Sequence, residues 1–258
     1  MPYAYCLAIA LCAAMLIAAP KPTAANLPMP RFMLWCWEAP QDLRQVPEDT
    51  GIAFLAATIK VHSHCLSYTP RMQPLLTAPH AYVLPVVRIE TERDIAPESE
   101  IAQAEKVAKL IAKLAAGNEC RRVQIDFDAR LKERAFYCLV LQHLRRQFPA
   151  GSTVSVTALA SWCLDDCWTD SLAAQQVVPM FFSMGRGGRE ALAVATGRRT
   201  LNPANNQAAI GLSVAEPAVI QSLGESGLLK DRNIFLFASH GWTNAKAQKV
   251  EYEVKKWL

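Results

Sequence analysis

The chain has 258 residues, with 27 Lys and Arg against 23 Asp and Glu and a formal net charge of +4 at pH 7. The basic residues are scattered among carboxylates and form no stripe interleaved with aromatics, so the charge gives no ground for a nucleic-acid partner. Hydrophobic residues make up 52% of the chain, which excludes a disordered composition and is enough for one large core.

The first twenty residues carry no Lys, Arg, Asp or Glu, and Ala4 to Ala19 form an apolar run with the character of a signal-peptide core. That run is too short to span a bilayer comfortably. Thr23-Ala24-Ala25 supplies small residues for cleavage. Residues 1–25 are therefore expected to be a leader and 26–258 a single periplasmic or secreted domain, with membrane contact only if the leader is retained. Six cysteines remain after the leader: Cys36, Cys65, Cys120, Cys138, Cys163 and Cys167. An even number in an oxidising compartment predicts disulfides, with Cys163 and Cys167 open to pairing with each other or with Cys36 or Cys65. Cys138 falls on an apolar helix face and reads as buried and inert.

Short runs rich in β-branched and aromatic residues recur along the rest of the chain. They are Phe32 to Trp37, Ile52 to Val61, Tyr82 to Ile89, Arg122 to Phe127, Thr153 to Ser161, Val177 to Met184, Ala209 to Val214 and Asn233 to Ser239. Helical patterns or polar loops separate most of them. Ile101, Ala104, Val107, Ala108, Ile111 and Leu114 share one face of a helix after the third strand, stopped by Gly117-Asn118. Leu131, Ala135, Cys138, Leu141, Leu144 and Phe148 do the same after the fourth. Pro217 to Leu229 and Asn244 to Leu258 predict two further helices, whereas Ser63 to Ala81, with Pro70, Pro74 and Pro79, reads as an irregular excursion. Eight strands alternating with helices, and no Gly-rich phosphate loop, predict an α/β fold of the (β/α)8 barrel type.

Chemistry in such a barrel sits at the C-terminal ends of the strands. On the fourth strand, alternation puts Val123, Ile125 and Phe127 toward the helices and Gln124, Asp126 and Asp128 toward the barrel axis. Two carboxylates confined together repel, so at least one is expected to have a raised pKa suited to general acid work. Glu38, Arg88 and Glu90 end the first and third strands and predict an ion-pair network around Asp126. Trp37, Trp162, Trp168 and Trp242 lie at or beyond strand ends, where flat indoles stack on sugar faces, and His240 is a candidate rim donor.

The segments Phe32 to Glu38, Val123 to Ala129, Thr157 to Cys163 and Val178 to Phe182 resemble the uncharacterised bacterial family called domain of unknown function 3142, over most of the mature chain. That family name carries no activity, so the resemblance implies the architecture and export alone. The fourth strand by itself is similar to the Asp-x-Asp-x-Glu end of family-18 chitinases. Asp126 and Asp128 match its aspartates, but Arg130 stands where the catalytic glutamate belongs. In the large retaining clan of barrel glycosidases a fourth-strand acid faces a seventh-strand nucleophile about 5 Å away, and Glu216 follows the seventh strand here.

These readings converge on an exported, glycoside-hydrolase-like barrel acting on an envelope or extracellular polysaccharide. Asp128 would be the general acid, Asp126 its tuning group and Glu216 its partner. Glu38, Trp37, Arg88, Glu90, Trp162, His240 and Trp242 would bind the glycan, with no metal and no cofactor. Two alternatives are a non-catalytic glycan-binding barrel, favoured by Arg130, and a metal-dependent hydrolase or deacetylase using His62 and His64.

Overall fold

The computed structural model describes residues 28–92, 97–116, 121–164, 167–185, 188–201 and 209–258. The expected leader, Cys120 and the Gly117-Asn118 stop lie outside these residues. Among the described residues no helix is long and apolar enough to cross a membrane.

The strands in chain order are β1 (Phe32–Cys36), β2 (Gln41–Leu43), β3 (Thr50–Val61), β4 (Leu66–Pro70), β5 (Leu75–Thr77), β6 (Val83–Thr91), β7 (Arg122–Asp126), β8 (Thr153–Leu159), β9 (Gln176–Met180), β10 (Ala209–Ser213) and β11 (Asn233–Phe237). Hydrogen bonding runs β1-β11-β10-β9-β8-β7-β6-β3, and β3 returns to β1, so eight parallel strands close a barrel. All eight expected strands are present. They were legible because each is buried on both faces, as in β1 and β7, where every residue is buried. One face of the strands, including Met33, Trp35, Leu84, Val178, Phe235 and Phe237, forms the barrel interior. The other packs under helices, as Leu34, Leu212 and Leu236 do against Ile220, Leu223 and Ala247. Gly211 keeps that interior open to large neighbours, since a Cβ there would meet Phe237 Cε2 at 3.2 Å.

The helices are α1 (Pro97–Ala116) after β6, α2 (Arg134–Gln147) after β7, the short α3 (Gly188–Leu192) after β9, α4 (Pro217–Glu225) after β10 and α5 (Asn244–Lys255) after β11. Two 3-10 turns, Ala160–Cys163 and Cys167–Ser171, stand between β8 and β9. The phase of α2 differs from the one expected. Leu131 is 77% exposed, and Phe136, Tyr137, Val140, Leu141 and Leu144 are the buried residues. The chain enters through a tighter 3-10 turn, Leu131–Glu133, which rotates the helix relative to a uniform 3.6-residue period. Cys138 is accordingly half-buried, with its Sγ 3.6 Å from Ser171 Oγ. In α1 the face is as read, except that Ile101 is exposed.

The Ser63 to Ala81 excursion is ordered rather than irregular. Strand β4 folds back antiparallel on β3, and β5 pairs parallel with β2, so a hairpin and a two-stranded ribbon occupy the space a helix would fill. Its anchors are long-range. The Arg71 guanidinium donates to Trp37 O (2.9 Å), Leu55 O (3.3 Å), Ala39 O (2.6 Å) and Gln73 O (2.9 Å). Such bonds leave no periodic trace in the sequence.

The expected disulfides are not formed among the described cysteines. Cys36, Cys65, Cys138 and Cys163 are not joined in disulfides, and the Cys167 side chain lies outside the described residues. Cys36 and Cys163 point outward into different helix-side clusters, one under α4 and α5 and the other under α1 and α2, which keeps them apart. Burial pushes the Cys36 thiol up to about 12, against a smaller opposing effect of Arg71, so it is an inert apolar side chain.

Candidate functional site

Alternation on β7 sends Arg122, Gln124 and Asp126 inward. Gln124 Oε1 accepts from Trp35 Nε1 at 3.0 Å across the interior. Asp126, 4% exposed, accepts from Arg88 Nη1 through Oδ2 at 2.9 Å and from Thr157 Oγ1 through Oδ1 at 2.7 Å. Arg88 lies directly opposite Asp126 in the β6–β7 register, which explains the contact. Its Nε donates to Glu90 Oε1 at 3.1 Å, and Glu90 Oε2 lies 3.5 Å from Lys60 Nζ. Lys60, Glu90, Arg88, Asp126 and Thr157 thus make one polar row over four neighbouring strands at the C-terminal end of the barrel.

Burial raises the Asp126 carboxyl above its ordinary value. The Thr157 hydrogen bond and the Arg88 charge oppose that rise without cancelling it, and the Asp128 charge adds to it. Burial works against the Arg88 cation, but Asp126, Glu90 and Asp128 outweigh it and raise its pKa.

Asp128 is not stacked beneath Asp126 in the interior, as alternation predicted. The strand ends at Asp126, and a turn closed by Ala129 N donating to Phe127 O at 2.8 Å carries Asp128 to the surface. There it makes no hydrogen bond among the described residues, while its charge still acts on Arg88 and Asp126. Arg130 turns away from Asp128. Its guanidinium binds Glu133, Thr91 Oγ1 (3.2 Å) and Glu92 O (2.9 Å), and its backbone N donates to Glu133 Oε2 at 2.7 Å. Glu133 is buried and also accepts from Thr91 Oγ1. Burial works to raise the Glu133 carboxyl, yet the bonds from Arg130 and Thr91 prevail and lower it. An acid three residues beyond a loop residue at a helix entry is the pattern that could have revealed it.

The remaining candidates divide. Glu216 lies beyond the end of β10 at the entry to α4, and its Oε1 accepts from Ser183 N at 2.9 Å, where Ser183 has a φ of 50°. It ties the β9–α3 loop to α4. Glu38 Oε1 accepts from Met72 N (2.9 Å) and Gln73 N (2.8 Å), so it holds the β4–β5 connection and stands outside the Arg88 network. Trp37 is half-buried, with its ring centroid 4.3 Å from Trp35 and 5.5 Å from the Arg88 guanidinium carbon. Trp162 is buried in the helix-side core with its centroid 5.0 Å from Trp168, and Trp242, 3% exposed, donates its Nε1 to Trp35 O at 3.0 Å. These two are packing residues because the chain has already turned outward over the strand ends where they occur. His240 is exposed, its Nδ1 2.9 Å from Ser239 Oγ.

Both His62 nitrogens are engaged, Nδ1 with Glu92 Oε1 at 2.6 Å and Nε2 with Ser67 Oγ at 3.2 Å, and His64 is exposed. Among the described residues no group of three or more His, Cys, Asp or Glu could hold a metal ion. The reading of the sequence missed Thr157 and Lys60, and also Phe182, whose ring lies tilted against Phe237 with centroids 4.6 Å apart beside the mouth.

The barrel is similar to the crystal structure of a GH18 chitinase from Pseudoalteromonas aurantia, with a TM-score of 0.58 and 11% identity over 88% of this chain and 100% of that one. The chain is a (β/α)8 barrel. At that identity the likeness concerns the fold. No family model matches this chain, that of the domain of unknown function 3142 included, and no curated protein matches it.

Proposed function

We propose that this chain is an exported glycan-binding barrel of the glycoside-hydrolase type, which takes a polysaccharide across its mouth without cleaving it. The observation that carries the reading is the state of the rim carboxylates. The common retaining and inverting routes of glycoside hydrolysis use two carboxyl groups about 5 to 9.5 Å apart with the sugar between them, and the position of the family-18 acid is held here by Arg130. Asp126 is buried in an ion pair, Glu216 and Glu38 hold backbone N–H groups of loops, and Glu133 is buried under Arg130. Asp128 alone of these acids faces solvent without a hydrogen bond. Trp37 supplies the stacking face and Asp128 accepts from sugar hydroxyls, with His240 and Phe182 at other strand ends of the same rim. The apolar run of Ala4 to Ala19 supports export, and the chitinase neighbour makes chitin-type oligosaccharides the first ligands to try.

Titration calorimetry with soluble chitin oligosaccharides should detect binding with no new reducing ends. Trp37→Ala should weaken it by about tenfold, the loss of one aromatic–sugar contact. Asp128→Asn should retain it, because an amide still bonds hydroxyls. The second reading is a hydrolase with Asp128 as its acid, favoured by the freedom of that carboxyl beside Arg88. Release of reducing ends that disappears in Asp128→Asn would establish it and end the binding-only proposal.

A further inference from the structure

The opposite end of the barrel carries a pocket of about 210 Å³. Its wall is built from residues at the starts of the strands, chiefly Tyr82, Arg122, Ser155, Gln176 and Asn233, with Met29 beside them. That volume equals roughly seven waters at about 30 Å³ each. Exposed Thr153 and Gln175 stand at its edge, so it opens on the N-terminal face.

Its chemistry is unusual for a barrel floor. Ser155 is 3% exposed, yet its Oγ has no hydrogen-bond partner, and neither does the buried Oε1 of Gln176. Ser155 pairs in register with Gln176 on one side and Gln124 on the other, and Gln124 Nε2 is likewise without a partner. Three adjacent side chains therefore offer one donor, one acceptor and one hydroxyl that can be either. Buried polar atoms in native proteins are almost always bonded, because leaving one unbonded costs about 1 to 3 kcal/mol in desolvation. Arg122, 4% exposed, is the single charged residue of the lining, and its guanidinium lies 4.0 Å over the Tyr82 ring, which fixes the plane of its donor fork.

We infer that this N-terminal pocket is a second ligand site, which takes a small hydroxylated carboxylate. The carboxylate meets Arg122, and the ligand hydroxyl donates to Gln176 Oε1 and accepts from Ser155 Oγ. The proposal rests on these residues alone and stands whatever the mouth does.

Sodium glycolate is the probe, with glycerol as the uncharged control, read by thermal unfolding and by calorimetry on the whole protein. Glycolate is expected to raise the melting temperature and glycerol at equal concentration to leave it unchanged. Ser155→Ala removes the hydroxyl from an interior position with little risk to folding and should weaken glycolate by about tenfold, as one hydrogen bond to a charged ligand does. Arg122→Gln should abolish the response. Absence of a glycolate response in the parent protein, an equal response in Ser155→Ala, or a crystal grown in glycolate that holds only water in the pocket would overturn the assignment.

Discussion

The barrel interior has two unlike halves. From β9 through β10, β11 and β1 to the lower part of β3, it is filled by Val178, Met180, Phe235, Phe237, Met33, Trp35 and Ala53, packed without a polar group among them other than the Trp35 indole. From β6 through β7 to β8 it carries Arg88, Gln124, Asp126, Ser155 and Thr157. The first half holds the barrel closed. The second buries groups that a purely structural core would replace with Val or Leu, since desolvating them at best breaks even. Such a column is therefore suited to binding: Asp128 stands beyond its mouth end, and Arg122 and Ser155 lie at its other end.

Truncation should separate the two halves. Phe235→Ala is expected to have the largest effect, about 4 kcal/mol of stability by urea unfolding, with glycan affinity per folded molecule unchanged. Lost affinity there would show that the halves are not separable. Asp126→Ala should cost about 2 kcal/mol, because it takes from Arg88 the buried one of its two carboxylate partners, and it should weaken binding at the mouth as well.

The pH dependence of the same position sharpens the contrast. The folded Asp126 value lies above the unfolded one, so the carboxyl's contribution is full below the ordinary carboxylate range and is lost as pH rises through the raised value. The stability of the parent protein minus that of Asp126→Asn should fall as pH rises from the ordinary carboxylate range through the raised value. A constant difference would show that burial does not govern this group. The smallest effect should come from Trp35→Phe, which keeps the apolar packing and removes the side-chain hydrogen bond that Trp35 makes to Gln124 across the interior. About 1 kcal/mol is expected in unfolding, from the loss of the donor to Gln124 Oε1.

The sequence revealed the strands and concealed their decoration. A parallel strand buried on both faces is a continuous apolar run, and that signal is local, so Phe32–Cys36 and Asn233–Phe237 could be read directly. Parity also placed Gln124 and Asp126 inside, and it failed one step later because the Phe127–Ala129 turn ends the alternation before Asp128. The Trp162 and Trp242 readings failed for the same reason. Position beyond a strand end does not say which way the chain then turns. The hairpin over β1 and β3 was invisible because its determinants, Arg71 and Glu38, act on backbone atoms distant in sequence.

Arg71 has a consequence for proteolysis. It lies in an otherwise open stretch, with Ser67, Tyr68, Thr69 and Pro70 exposed on one side and Met72 on the other, where a trypsin-like enzyme would look for an extended substrate. Such an enzyme must draw the guanidinium into its own specificity pocket, but that group is already bonded to four carbonyls of three separate segments. This exposed segment is thus shielded from cleavage by the side chain that would mark it for cutting. That is a useful property for a protein expected to work outside the cell.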